Sequence, residues 1–242
     1  NGLMLGAVAR AAAVLNEKEY LQAAEANYAK AQANLGYCYE TGFGVERDPQ
    51  EAAKWYLAAA VQGNRYAQMN YANKLLRDAL KTKDEDRMIE SRKWYLKAHY
   101  QDESLSQAAY GIGVVYSQLQ PRTTEHTKLA KRWFGLAAAG EHPDAQFALG
   151  FTEEASGNGK AAFNWYKLAK AGGSRPAVFN LARCFENGFG VAQSSKLAGE
   201  HYRLAAKSGH PQSQYALGLL IYNEAKAEAG FREAYMLSLI HI

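Results

Sequence analysis

One small residue returns along this chain at a nearly fixed interval, and two more columns keep register with it. The anchors are Ala31, Ala67, Ala108, Ala145 and Ala177, with Ser213 in the sixth place. By subtraction their spacings are 36, 41, 37, 32 and 36 residues. Four positions past each anchor stand Leu35, Tyr71, Ile112, Leu149, Leu181 and Leu217. The next position is always tiny: Gly36, Ala72, Gly113, Gly150, Ala182 and Gly218. Further on comes an aromatic pair, Trp55-Tyr56, Trp94-Tyr95, Trp133-Phe134 and Trp165-Tyr166, ending with His201-Tyr202. Four residues after the first member of each pair stand Ala59, Ala98, Ala137, Ala169 and Ala205. A repeat of this period is one supersecondary unit that cannot bury its apolar face alone, so such units must stack.

The stretch from Ala31 to Gly63, AQANLGYCYETGFGVERDPQEAAKWYLAAAVQG, shows what each unit is. Ala31, Leu35, Cys38 and Tyr39 recur at helical spacing. Gly36 lies on the same face, where a missing side chain lets a second helix come close. Gly42 and Gly44 follow, and glycine accepts the positive φ found just past a helix end. Asp48-Pro49-Gln50-Glu51 reads as a new start. Asp48 caps, Pro49 suits the first helical position and Glu51 can close a capping box. The second helix carries Ala52, Trp55, Tyr56 and Ala59 on one side and stops at Gly63. The unit is a helix–turn–helix hairpin with a small-residue seam and an aromatic clamp.

LGYCYETGFGV followed by AAKWYLAAAVQG resembles the Sel-1-like repeat, a relative of the tetratricopeptide repeat. CFENGFGV from Cys184 to Val191, with HYRLAAKSG from His201 to Gly209, is a second close match. The repeats at Ala67 and Ala108 depart from the pattern, with longer linkers and no paired glycines, and the one at Ala145 has a trimmed linker, ASGNG. The resemblance implies an all-α fold, a right-handed α/α superhelical solenoid of antiparallel helix pairs that acts as an interaction scaffold. Repeats are expected at about 31–66, 67–107, 108–144, 145–176 and 177–212, with partial ones at 1–30 and 213–237.

Composition excludes more than it identifies. In a solenoid each repeat packs on its neighbours, so 242 residues need not form globular domains. A net charge of +4 with both signs interspersed is too mild to argue for nucleic acid. No apolar run approaches the roughly 20 residues of a spanning helix. Cys38 and Cys184 hold the same place in their repeats, since 38 − 31 and 184 − 177 are both 7. Equivalent positions four repeats apart are expected to exceed the roughly 7 Å Cα limit of a disulfide, so both read as buried free thiols. Some bacterial relatives carry a cysteine pair inside each repeat, which this chain lacks.

Residues 3–15, LMLGAVARAAAVL, resemble a signal-peptide core, but Leu5-Gly6, Glu19-Tyr20 and Ala23 fit the columns of an incomplete repeat. KTKDED, between Leu80 and Arg87, reads as a solvated loop, and QDESLS lengthens the turn into the third repeat. Thr123-Thr124 are expected caps. Asn158 and Ser194 stand seven before Trp165 and His201, as Asp48 stands before Trp55, and are expected to cap as well. Register persists to Ala234 and Leu237. LSLIHI then breaks it, with His241 in an alanine slot, so 237–242 read as a non-native tail. A start at Asn1 without methionine and ends without polar capping helices suggest a fragment of a longer array.

No reacting constellation emerges. Gly42-Phe43-Gly44-Val45 and Gly188-Phe189-Gly190-Val191 lack the strand and third glycine of a dinucleotide loop, and a helix precedes each. His142-Pro143 and His210-Pro211 occupy matching inter-repeat turns, nine after Trp133 and His201. No HExxH or CxxC spacing is present. Family members linked to β-lactam binding prompt a search for serine followed three later by lysine, and none occurs. The tryptophans, fixed against the alanine column, read as core rather than as carbohydrate or base platforms. No catalytic residue, cofactor or metal ligand is therefore expected, and no small-molecule substrate.

In tetratricopeptide-like solenoids the first helices line a concave face that holds extended peptides. Two past each anchor stand Ala33, Met69, Tyr110, Phe147, Phe179 and Tyr215. Six past stand Tyr37, Asn73, Val114, Phe151, Arg183 and Leu219. Exposed aromatic stripes mark interaction sites, although aromatics two past the anchor also serve to bridge adjacent first helices. The expected partner-binding residues are Tyr37, Met69, Tyr110, Phe147, Phe151, Phe179, Arg183 and Tyr215, and the expected partner is another protein or extended peptide. The resemblance suggests assembly or regulation of envelope, secretion or signalling complexes in bacteria, or an adaptor role in eukaryotes, and a bacterial periplasmic or envelope-associated location is expected. The alternative it carries is a hydrolase or a peptidoglycan- or β-lactam-binding protein of the cysteine-rich subgroup. Single-stranded RNA reading would need basic residues along the stripe, which has few.

Overall fold

The computed structural model describes residues 27–223, with Leu21, Ala24, Glu25 and Lys226. The expected incomplete repeat around Leu5, Tyr20 and Ala23 and the register at Ala234, Leu237 and His241 lie outside the described residues. The helices are α1 (Ala29–Thr41), α2 (Pro49–Val61), α3 (Arg65–Thr82), α4 (Glu85–Gln101), α5 (Ser106–Gln118) and α6 (Thr124–Ala139). Then come α7 (Pro143–Ala155), α8 (Gly159–Ala171), α9 (Arg175–Asn187) and α10 (Ser195–Lys207), with α11 over 211–223. Consecutive helices pair in antiparallel hairpins, an all-α solenoid arrangement. Each first helix opens two residues before its anchor, at 29, 65, 106, 143 and 175.

The chain divides into two compact units, one ending at Gly140 and one beginning at Glu141. In the first, Ala52, Tyr56, Ala59 and Ala67 form one core cluster, and Ala72, Leu76, Tyr95, Ala98, Ala108 and Ile112 part of another. In the second, Ala162, Tyr166, Leu181 and Cys184 are buried together, and Ala182 packs with Ala198 and Tyr202. The anchors Ala67, Ala108, Ala145, Ala177 and Ser213 are fully buried, while Ala31 is half-buried.

The tiny column is explained by the second member of the aromatic pair. A Cβ on Gly36 would stand 2.7 Å from Tyr56 Cδ1, one on Gly113 2.6 Å from Phe134 Cδ1, and one on Gly150 2.6 Å from Tyr166 Cδ1. The sequence pointed to the tryptophans as core, but Trp55, Trp94, Trp133 and Trp165 are half-buried, and Tyr56, Tyr95, Phe134 and Tyr166 beside them are buried. One residue is 100° of helix, enough to take the larger ring off the seam.

The turns follow local chemistry. Gly42 and Gly44 have φ of 75° and 74°, and Gly188 and Gly190 repeat this at 66° and 75°. Asp48 Oδ1 accepts from Gln50 N at 2.8 Å and Glu51 N at 3.0 Å, satisfying two free N–H groups of the first turn. Glu51 does not close a capping box, because the Asp48 N–H donates to Tyr39 O at 2.9 Å, and the Glu51 carboxylate pairs with Lys54 at 2.7 Å. Thr123 and Ser194 cap as expected. Asn158 occupies the slot, but its Nδ2 donates to Glu153 Oε2 at 2.7 Å and caps nothing.

KTKDED is largely exposed to solvent, as expected, but it is not a loop. The helix α3 continues through Thr82, Lys83 takes the left-handed conformation at φ 57°, and Asp84 caps α4 through Arg87 N. Longer helices, of 18 and 17 residues, absorb the insertion.

Candidate partner-binding faces

The sequence-predicted stripe falls on first helices in both units. In the first unit Tyr37 is on α1, Met69 on α3 and Tyr110 on α5, each half-buried. Met69 packs on the neighbouring core, and the Tyr110 ring lies 5.8 Å from that of Phe134. In the second unit Phe147 and Phe151 are on α7, Phe179 and Arg183 on α9, and Tyr215 on α11. Phe147 tilts against Tyr166 at 5.7 Å, and Phe179 contacts Tyr202 at 5.8 Å and His210 at 4.8 Å. The position two past the anchor therefore props up the buried aromatic of its own hairpin. Phe151 and Tyr215 are different: 59% and 71% of their surface is exposed.

Arg183 does not point to solvent alone. Its Nη1 lies 3.2 Å from Glu154 Oε1, and Glu154 Oε2 accepts the Tyr166 hydroxyl at 2.6 Å. The same motif recurs: Tyr56 donates to Glu40 at 2.9 Å, and Tyr202 to Glu186 at 2.5 Å. Glu40, Glu154 and Glu186 all stand nine past their anchors. Where the ring is Phe134, with no hydroxyl, that position is Ser117. In the second repeat Leu76 takes it, and Tyr95 donates instead to Asn73 at 2.6 Å. Burial first, and then the neighbouring carboxylates, push the hydroxyls of Tyr56, Tyr166 and Tyr202 well above the ordinary phenol range. They are fixed donors, not acids.

A second column also emerges only in the structure. Gln32, Gln68 and Gln214, one past their anchors, donate from Nε2 to Ala24 O, Ala60 O and Ala206 O, each eight residues back. Ala60 and Ala206 lie near the ends of α2 and α10, so Gln68 and Gln214 satisfy helix-end carbonyls and tie one repeat to the next. The signals were present in the sequence as periodic glutamine and glutamate.

The remaining candidates for chemistry have structural roles. His142 Nδ1 accepts from Ala145 N at 3.4 Å, and His210 Nδ1 from Ser213 N at 3.2 Å, so both imidazoles are helix caps. Burial pushes the Cys184 thiol up to about 11, which keeps it protonated and poorly nucleophilic at neutral pH. Phe189 and Val191 of the glycine turn pack on the core of the second unit, and Gly190 backs onto Gly159, where a Cβ would stand 2.0 Å from the Gly159 carbonyl oxygen. Among the described residues no three His, Cys, Asp or Glu side chains are placed to hold a metal ion. No described helix is long and apolar enough to cross a membrane.

Comparison with known proteins matches this geometry. A Sel1 repeat protein from Oxalobacter formigenes is 25% identical, with 84% of this chain and 78% of that one aligned at a TM-score of 0.65. A protective antigen present in uropathogenic Escherichia coli strains is 23% identical, over 85% of this chain and 51% of that one, at 0.56. The Pseudomonas aeruginosa protein PilF is 20% identical, over 94% and 95%, at 0.59, a likeness of fold. The Sel1 repeat matches the chain five times, at residues 29–64, 65–102, 106–142, 143–174 and 175–210. With five such repeats over most of its length, the chain belongs to the Sel1 repeat family.

Proposed function

We propose that the protein is a non-catalytic protein–protein interaction scaffold that holds a partner protein or extended peptide along its first helices. The observation that carries this reading is the exposure of Phe151 and Tyr215, two large rings held open on first helices of the second unit. Phe147 and Phe179 supply a firm floor beside them, since each is braced on a buried tyrosine. Arg183, paired with Glu154, offers a charged group whose geometry is already set, which lowers the entropy cost of binding. In the first unit Tyr37, Met69 and Tyr110 form the corresponding row. The family resemblance and the repeat fold support the same role.

The test uses a partner recovered by affinity capture, purified and titrated calorimetrically. Phe151→Ala with Tyr215→Ala removes exposed rings without opening the core. Affinity is expected to fall at least roughly tenfold, as for aromatic anchors at an interface. Unchanged affinity with intact helicity would refute the site.

A further inference from the structure

The second unit has a hollow between its second helices, α8 and α10, floored in part by α9. Five past the first aromatic of one pair, and at the first aromatic of the next, two side chains face each other across successive second helices. In the first unit these are His99 and Trp133, packed edge to face at 5.2 Å. The equivalent positions in the second unit are Lys170 on α8 and His201 on α10. His201 stands where the four other pairs have tryptophan. A groove of about 430 Å³ remains between α8 and α10. Its floor is apolar: Phe163 and Phe185 meet edge to face at 5.4 Å beside Leu181.

The rim is cationic. Lys170 Nζ lies 3.2 Å from His201 Nε2, and His201 Nδ1 lies 3.0 Å from Leu197 O. A carbonyl only accepts, so Nδ1 carries the proton and Nε2 accepts from the ammonium. Burial first, and Lys170 among the other influences, hold this imidazole below its ordinary pKa. An adjoining hollow shares Lys170 and His201 and adds Arg203, Leu204 and Lys207, with Glu200 as its one carboxylate. Among the described residues, Lys167, Lys170, Arg203 and Lys207 have no carboxylate in ion-pair contact. The charged cleft of the first unit is compensated in part, since Arg77 pairs with Glu40 and Lys74 with Asp78, while Arg47 donates to the Glu40 backbone carbonyl.

We propose that this groove docks an acidic peptide segment bearing one large apolar side chain. The apolar side chain fills the Phe163–Leu181–Phe185 floor, and flanking carboxylates take the free N–H groups of Lys170 and the charges of Lys167, Arg203 and Lys207. A peptide suits the site better than a nucleic acid. The floor is a hollow for a side chain, walled by rings packed edge to face, not a row of open ring faces on which successive bases stack.

The probe is a short fluorescein-labelled peptide of glutamates around a single phenylalanine, measured by anisotropy. Its controls carry glutamine for glutamate, or alanine for phenylalanine, and an oligouridylate of equal charge serves as competitor. The wild-type protein is expected to bind the probe, and each control peptide at least roughly tenfold more weakly. His201→Trp restores the residue of the other repeats, so it fills the groove while keeping the fold, and is expected to weaken the probe by a similar factor. Arg203→Glu, on the exposed rim, should weaken it too. Phe151→Ala with Tyr215→Ala should leave it unchanged, which separates this groove from the first-helix face. Absence of binding, full affinity in His201→Trp, or equal competition by the oligouridylate would overturn the proposal.

Discussion

Replacing Gly150 by alanine tests whether the tiny column is a steric requirement. The new Cβ would stand 2.6 Å from both Cδ1 and Cε1 of Tyr166 and 3.3 Å from Trp165 Cβ. Carbon atoms in ordinary contact are about 3.5–4.0 Å apart. The ring has little room to yield: it is fully buried, its hydroxyl is held by Glu154 at 2.6 Å, and Phe147 packs against it. Overpacking of this kind costs about 1–3 kcal/mol. Against it stands the gain from replacing glycine inside a helix, about 1 kcal/mol. Gly135 in α6 isolates that gain, because a Cβ there meets nothing within 4 Å. Gly135→Ala should therefore stabilise by about 0.5–1 kcal/mol. Gly150→Ala should fall below it by about 1–3 kcal/mol. Ala72 and Ala182 fill the same column elsewhere, so spacing between paired helices is tuned hairpin by hairpin, and the lower end of that range is the sounder expectation. Urea unfolding followed by circular dichroism measures both variants. If Gly150→Ala stabilises as much as Gly135→Ala, the ring moves freely and the steric account of the column fails.

Tyr166→Phe should lose about 1–2 kcal/mol, for a hydrogen bond to a charged acceptor that water partly replaces. The same urea assay measures it, and an unchanged midpoint would show that Glu154 is held by Arg183 alone. Burial lowers the pKa of His142, whose neutral Nδ1 caps α7. The unfolded chain then binds the proton more readily, so the contribution is present above the ordinary value of about 6.5 and is lost as pH falls through the lower folded value. Acidification across that window should lower wild-type stability, and His142→Asn, a cap that does not titrate, should lack that component. Cys38, half-buried, should react with an aromatic disulfide reagent at least roughly tenfold faster than Cys184, whose thiolate is rarer and more enclosed. The reverse order would place Cys184 on an accessible surface.

Periodicity revealed the hairpins because each repeat solves the same packing problem with the same residue sizes. The anchors, the tiny column and the Asp48-Pro49 cap could be read for that reason. The ring that fills the seam could not be chosen between Trp55 and Tyr56, since neighbours in sequence differ only in angle. Charged residues misled in KTKDED, where polarity rightly indicated solvent but Lys83 and Asp84 suffice for the turn and the flanking residues are helical. Gln32 and Gln68 seemed generic polar residues, and their task appears only when the carbonyl eight residues back is placed beside them. On the stripe, aromatic identity alone could not separate Phe147, which braces Tyr166, from Phe151, which is left open. Both are rings on α7, and only the packing of neighbouring helices distinguishes them. The second-helix groove escaped because its signal is a loss, tryptophan giving way to His201.

Hydroxyl-radical footprinting of the protein alone and saturated with its purified partner tests the scaffold account most directly, since it reads the surface of individual side chains. Oxidation of Phe151 and Tyr215 should fall on binding, while buried Tyr166 and Tyr202 stay protected in both states. Undiminished oxidation of both exposed rings in the complex would contradict it.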